Sequence, residues 1–245
     1  MPASPVIRLE GVTKRFGRRG AVVALNSVTL SIPGGGVTLL LGANGAGKST
    51  LLRVIAGTIA PTSGRVHRTG EVGILLGNSF GLYDRLSARE YLRYIGALRG
   101  LSGPVLDARI GTVLRELEIA GFAHRRCGEF SAGMKQRTAL AASIIHEPEI
   151  LLLDEPTTGL DLSARGHVME TIRRLAETGR GMIVSTHHPE EVRPLARRVV
   201  VLNAGRVIID VAADDPLFDA PGGIAAVALT AIREADVSAP SRRGS

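Results

Sequence analysis

The stretch GGGVTLLLGANGAGKSTLLRVIAG, residues 34–57, holds three patterns in sequence. VTLLL is a short, unbroken apolar run after a glycine turn, the pattern of a buried parallel strand. Leu51, Leu52, Val54 and Ile55 recur at helical spacing, and Gly57 reads as a helix stop. Between them lies Gly42-Ala43-Asn44-Gly45-Ala46-Gly47-Lys48-Ser49, which fits G-x-x-x-x-G-K-[ST]. Strand, glycine loop and helix in that order make a phosphate-binding device. The glycines let backbone N–H groups converge on phosphate oxygens, and the helix N-terminus adds its positive end. Lys48 is the candidate for the β- and γ-phosphates and Ser49 the candidate Mg2+ ligand. With Thr50, these residues form the candidate nucleotide site, and ATP with Mg2+ is the expected cofactor pair.

A second apolar run, ILLLDEP at 150–156, ends in two carboxylates. Its four apolar residues bury a strand and deliver Asp154 and Glu155 to the carboxyl end, where open α/β sheets bind ligands. Asp154 is a candidate for Mg2+ through a water, and Glu155 a candidate for polarising an attacking water. Elsewhere VIRLEGVTKRF and AVVALNSVTLSI alternate apolar and polar residues, as half-buried strands do. From about 84 to 145 the period is helical: SAREYLRYIGALRG, VLDARIGTVLRELEIAGF, then SAGMKQRTALAASIIH. LSARGHVMETIRRLAETG reads as a helix and GMIVSTHH as a strand. RRVVVLNAGRVIID reads as a closing hairpin turning at Asn203, Ala204 and Gly205. GIAAVALTAIREA is a candidate last helix, and DVSAPSRRGS a frayed tail. No internal repeat is present.

Composition bounds the function classes. The chain has 245 residues, 44% hydrophobic and 22% charged, enough for a large core and too apolar for global disorder. The single Cys127 makes no internal disulfide, and no CxxC or Cys/His cluster suggests a structural metal, so a reducing compartment fits. MPASPVIRLEGVTKRF lacks an apolar signal region, and no apolar run is long enough to span a bilayer. The expectation is a chain soluble by itself, whose membrane role comes through a partner. A net charge of +7 admits nucleic acid or an anionic lipid surface. The arginines, however, are scattered rather than clustered, which reads as a solvated surface.

FSAGMKQR before the Asp-Glu strand, TTGLD after it and STHH further on complete a known set. With the phosphate loop and the Asp-Glu strand, they resemble the nucleotide-binding subunit of an ABC transporter over about residues 5–212. The resemblance implies an α/β P-loop NTPase fold of the ABC type, with a RecA-like core, an antiparallel β subdomain and an inserted helical subdomain. It places the ATP-binding domain at 1–215, the helical subdomain at about 84–145, and a short, partly disordered extension at 216–245. It implies that Ser131, Ala132 and Gly133 form the signature that caps the γ-phosphate of ATP bound to the opposite subunit. Ala132 and Met134 stand where the commonest form has Gly and Gln. Asp161 matches the loop crossing the dimer interface, and His187 the switch histidine at the γ-phosphate, whereas His188 reads as a plain surface residue. Glu155 and His187 are thus the implied catalytic pair. Phe16 sits where the family stacks an aromatic on adenine, with core packing the other reading open. Two ATP molecules sandwiched between two copies imply a homodimer, or a dimer with a similar subunit. An integral membrane subunit is the further partner. The implied location is cytoplasmic, peripheral on the inner face of the cell membrane through that subunit.

Residues 73–86, GILLGNSFGLYDRL, then acquire a meaning. By the same resemblance they are the glutamine loop, which senses Mg2+ and γ-phosphate and leads into the helical subdomain gripping the membrane subunit. Alignment on Leu82-Tyr83 puts Asn78 at the glutamine position. Its amide oxygen makes it a further candidate Mg2+ ligand. Four of the eight aromatics, Phe80, Tyr83, Tyr91 and Tyr94, fall in this neighbourhood. They suit a groove for a partner's short helix, or the small core of the helical subdomain. Phe80 and Tyr83, in the loop, are the docking candidates; Tyr91 and Tyr94 fit the core.

The motif style of LYDRLSARE, FSAGMKQR and THHPEE resembles exporters of drugs, ions or lipids. The short passage from PTSGRVHRTGEVG resembles polysaccharide or teichoic-acid export subunits; lack of a carbohydrate-binding domain favours the first. A soluble ATPase of the family acting on nucleic acid would carry two motif sets or coiled-coil or zinc modules, so no nucleic-acid partner is expected. A metabolic kinase would leave Ser131-Ala132-Gly133, Asp161 and His187 unexplained.

Overall fold

The structure is a computed structural model that describes residues 5–77, 81–216, 226 and 230. It divides into two compact units. One is built from the chain up to Pro33, from Val37–Thr69 and from Ser185 onward; the other from Gly34–Gly36 and Gly70–Val184.

In the first unit, β1 (Pro5–Phe16), β2 (Val22–Pro33) and β4 (Ser63–Arg68) form an antiparallel sheet in the order β2-β1-β4. Its alternation is the one legible in the sequence. Val28, Leu30 and Ile32 of β2 are buried while Ser27, Thr29 and Ser31 between them are not. Leu9 faces Leu30 and Val12 faces Val28 across the β1–β2 pair. Each such side chain contributes about 1.5–3 kcal/mol by leaving water.

The same unit holds β3 (Gly36–Leu41), α1 (Lys48–Ala56), β8 (Ala196–Asn203) and β9 (Arg206–Ala212), with strands in the order β3-β8-β9. β3 and β8 run parallel, Leu39 beside Val199 and Leu41 beside Val201, which is why both read as unbroken apolar runs. β8 and β9 form the expected hairpin. Ala204 and Gly205 at its turn have φ of 46° and 77°, the left-handed pair that a two-residue hairpin loop demands. Gly57 ends α1 as expected, left-handed at φ 75° with its N–H on the Arg53 and Val54 carbonyls.

In the second unit, β5 (Val72–Leu76), β6 (Ile150–Asp154) and β7 (Gly181–Ser185) follow the order β5-β6-β7. The helical stretch read from 84 to 145 contains α2 (Ala88–Leu98), α3 (Gly103–Glu116) and α4 (Ala132–Ile144), and α5 (Leu162–Glu177) follows β6. A capping box starts α2: the Ser87 hydroxyl accepts from the Glu90 N–H, and the Glu90 carboxylate accepts from the Ser87 N–H. Gly96 lets α2 approach α3, since a Cβ there would lie 2.4 Å from Leu106 Cδ1. α4 is buried on most sides, from Thr138 through Ile144. Its C-terminal carbonyls are closed by the Arg109 guanidinium, which donates to Ile144 O at 2.8 Å and Ile145 O at 3.1 Å.

The expected last helix and tail fall outside the described residues, except Ala226 and Thr230, both helical. Asn78 and Phe80 also lie outside them. Cys127 is fully buried, and burial pushes its thiol up to about 11, so it acts as a small hydrophobe. No helix among the described residues is long and apolar enough to cross a membrane.

Candidate functional site

The phosphate loop is shaped by backbone crowding. A Cβ on Gly42 would lie 2.3 Å from Leu202 O at the end of β8, and one on Gly47 would lie 2.4 Å from Ala24 O on β2. Both glycines also have positive φ, 151° and 106°. No other residue fits either position. The hairpin turn presses on the loop from a third side: Gly205 N–H donates to Ala46 O at 2.9 Å, and Gly205 O accepts from Asn26 N–H at 2.8 Å. Gly45 differs. It is left-handed at φ 81° with nothing within 4 Å of a Cβ, so the loop is braced behind and open in front. Gly47 starts α1 without a side-chain cap, leaving the first N–H groups of the helix for a ligand. Lys48 is buried, and its ammonium donates to Gly42 O at 2.8 Å and Ala43 O at 3.2 Å, holding the positive charge inside the loop. Ala43, Asn44 and Gly45 are exposed, and Ser49 and Thr50 are half-buried in the first turn of α1. These residues fit a polyphosphate.

In the second unit, β6 is buried along its whole length and ends on Asp154, 5% exposed. Glu155 follows with φ 50°, a left-handed conformation that an L-residue holds only when its surroundings impose it. The Thr158 hydroxyl donates to Glu155 Oε2 at 3.1 Å. Ser49 carries a hydroxyl oxygen and Asp154 a carboxylate, donors of the type that Mg2+ takes. One holding contact has no counterpart in the motif reading. Gln136, 1% exposed on α4, donates through Nε2 to Pro156 O at 2.6 Å and so ties the signature helix to the turn after Glu155. Beside Lys135, Arg137 and Thr138 on the same helix, Gln136 carried no distinguishing signal in the sequence.

The signature residues open α4. Ser131 is its N-cap, its hydroxyl accepting from the Met134 N–H at 3.3 Å. Gly133 is buried, and a Cβ there would lie 2.7 Å from Ala164 Cβ on α5. Ala132 is exposed, so a methyl group is accommodated where the commonest form has glycine. Asp161 caps α5, its carboxylate accepting from the Ala164 N–H at 2.8 Å. The two helix starts border one cavity of about 230 Å3, lined by Ser131, Gly133, Asp161, Arg137 and His167. Ser131, Gly133 and Asp161, read separately in the sequence, are thus brought together.

His187 is exposed just beyond β7, after the buried Ser185 and Thr186. His188 lies 3.4 Å from Glu190 and stays a surface residue. Phe16 ends β1 and is 41% exposed, which excludes the core-packing reading.

Tyr91 is buried as expected, but Tyr94 corrects its expectation: it is 41% exposed rather than part of the core. Four positions on from Ser87 a residue faces the core, and three further on the helix has turned out of it. Tyr94 instead meets the exposed Tyr83 edge to face, at 5.4 Å and 86°. The loop carrying Tyr83 is bonded to the residues just before the signature. Leu86 O accepts from Cys127 N–H at 2.8 Å and Asp84 O from Gly128 N–H at 3.1 Å. At its other end, Gly77 N–H donates to Asp154 O at 3.0 Å.

Comparison with known proteins bears on the whole arrangement. The ABC transporter family model matches residues 25–158. The chain is 38% identical over 216 residues to the ABC transporter ATP-binding protein NatA of Bacillus subtilis (strain 168), covering 83% of this chain and 88% of that one. It is 37% identical over 215 residues to the Nod factor export ATP-binding protein I of Rhizobium sp. (strain N33), covering 83% and 70%. Among solved structures, the dimeric ATP-binding cassette MJ0796 bound to ADP and Pi superposes with a TM-score of 0.76 at 26% identity, over 85% of this chain and 99% of that one.

Proposed function

The chain belongs to the ABC transporter ATP-binding family, and from that premise we propose that it binds and hydrolyses ATP to power export through a separately encoded membrane subunit. The observation that carries the reading is the phosphate loop, whose glycines are fixed by backbone oxygens behind and open in front. Lys48 and the N–H groups opening α1 hold the polyphosphate. Ser49 and Asp154 would hold Mg2+, which would supply charge neutralisation at the phosphates. Glu155 polarises the attacking water, and its imposed backbone conformation fixes where the carboxylate points. His187 contacts the γ-phosphate, and Phe16 stacks on adenine. Asn78 would serve as a further Mg2+ contact.

Ser131, Ala132 and Gly133 cap ATP held by a second subunit, with Asp161 at the interface, so the working form is a dimer that closes on ATP and opens after hydrolysis. The membrane subunit docks through Phe80 and Tyr83. The backbone bonds from Asp84 and Leu86 to Gly128 and Cys127 support a link between that docking loop and the signature. Residues 1–215 form the ATP-binding domain, with a helical subdomain at about 84–145 and a short extension at 216–245. The protein acts at the inner face of the cell membrane. Export is favoured by the motif style and by the Nod factor export relative.

The test is Glu155→Gln, followed by size-exclusion chromatography with ATP and Mg2+ alongside ATPase assays. The expected result is a stable ATP-dependent dimer and hydrolysis lowered by about 10²–10⁴-fold. A variant that stays monomeric while wild type hydrolyses ATP sinks the homodimeric form of the reading. Adding Ser131→Arg then tells a missing second subunit from a wrong signature assignment.

A further inference from the structure

The adenine-stacking ring carries a second, unassigned group on one of its faces. The Lys14 ammonium lies 5.0 Å from the centroid of the Phe16 ring, over its face. Lys14 is not a waving surface residue: it is half-buried, and its ammonium donates to Ala60 O at 2.7 Å, in the loop that follows α1. The neighbouring backbone is fixed to the same loop, through Thr62 N–H to Thr13 O at 2.7 Å and Arg15 N–H to the Thr62 hydroxyl at 3.0 Å. The cation is thus held in place by the element that begins with the phosphate-binding helix. Beside the ring, its cross-strand partner Val22 is 59% exposed and widens the apolar platform.

We propose that Lys14 is a positioning residue for the nucleotide base: it occupies one face of Phe16, fixes the ring's orientation and leaves the other face for a purine. The physical argument has two parts. An ammonium over an aromatic face is attracted by the ring quadrupole and resists rotation of the ring away from it. The same charge draws electron density from the opposite face, which improves stacking against an electron-rich base such as adenine. Because Lys14 is anchored to the loop after α1, ring position and phosphate position are set from one structural element. This proposal rests on the reading of Phe16 as the adenine platform and specifies what makes that platform rigid.

The experiment compares Lys14→Met, Lys14→Arg and Phe16→Ala with wild type, by titration calorimetry of the whole chain with Mg-ADP and by competition with inorganic pyrophosphate. Thermal unfolding verifies that each variant is folded. Lys14→Met keeps the aliphatic stem and loses the charge. It is expected to weaken ADP by about two- to fivefold, the scale of an exposed cation–π contact, while leaving pyrophosphate unchanged. Lys14→Arg restores ADP affinity. Equal weakening of ADP and pyrophosphate overturns the proposal, because Lys14 then acts on the phosphates by charge alone. Unchanged ADP affinity in Lys14→Met, with Phe16→Ala weakened, overturns the lysine role and leaves the stacking reading standing. Unchanged ADP affinity in Phe16→Ala overturns both.

Discussion

Two glycine-containing loops in this protein use glycine for opposite reasons. In the phosphate loop, Gly42 and Gly47 are demanded by space, since backbone oxygens of Leu202 and Ala24 stand where a Cβ would be. In the segment leading to Tyr83, Gly77 and Gly81 also have positive φ, 48° and 55°, but a Cβ at either would meet nothing within 4 Å. The first loop is over-determined by the fold behind it. The second is held at its ends, by Gly77 to Asp154 and by Asp84 and Leu86 to Gly128 and Cys127, and Tyr83 between them faces solvent. A loop that must meet an invariant chemical group is built rigid by its own chain. The second loop leaves the Tyr83 ring in solvent, as the docking proposed for it requires.

The contrast can be broken by mutation. Gly47→Ala sets left-handed strain and overpacking together, and is expected to cost about 2–5 kcal/mol in urea unfolding, with ADP binding lost. A folded Gly47→Ala protein that binds ADP normally would show that the crowding is not what fixes the loop. Gln136→Leu removes the buried bond to Pro156 O. It is expected to lower stability by about 1–3 kcal/mol and to slow hydrolysis, because the turn after Glu155 loses its tether. Gly81→Ala meets only the backbone penalty, about 1 kcal/mol, and stability close to that of Gly47→Ala would erase the distinction between the loops. Tyr83→Ser is expected to change stability by less than about 0.5 kcal/mol while reducing co-purification with the membrane subunit. The smallest effect is a non-event: Cys127, buried with its thiol raised to about 11, is expected to stay unreactive to a thiol reagent at pH 8 until the protein is unfolded.

The same contrast explains what was legible in the sequence. The phosphate loop, the β6 carboxylates and the β8–β9 turn were readable because each is written in a short contiguous run of residues. The clustering of Ser131, Gly133 and Asp161 around one cavity was readable only as separate motifs, since the sequence spacing of 131 and 161 says nothing of the α4–α5 approach. Gln136 was missed because its partner is a backbone carbonyl twenty residues away, and a carbonyl has no sequence signature. Tyr94 was misjudged because i, i+3 spacing places two residues near one face without saying where the buried stripe ends. Phe16 was left open between base stacking and core packing, and its exposure excludes only the second.

The bond between Gly205 and Ala46 carries a consequence for the order in which the protein is made. The glycine loop leaves the ribosome early, yet one of its braces comes from a hairpin translated about 160 residues later, and Leu202, which crowds Gly42, arrives with it. A nascent chain halted before β8 contains every residue of the phosphate motif and lacks the backbone that shapes it. Nucleotide capture is therefore expected as a late event of synthesis, and ribosome-bound chains ending before residue 196 should not retain ADP, whereas chains with the hairpin clear of the exit tunnel should.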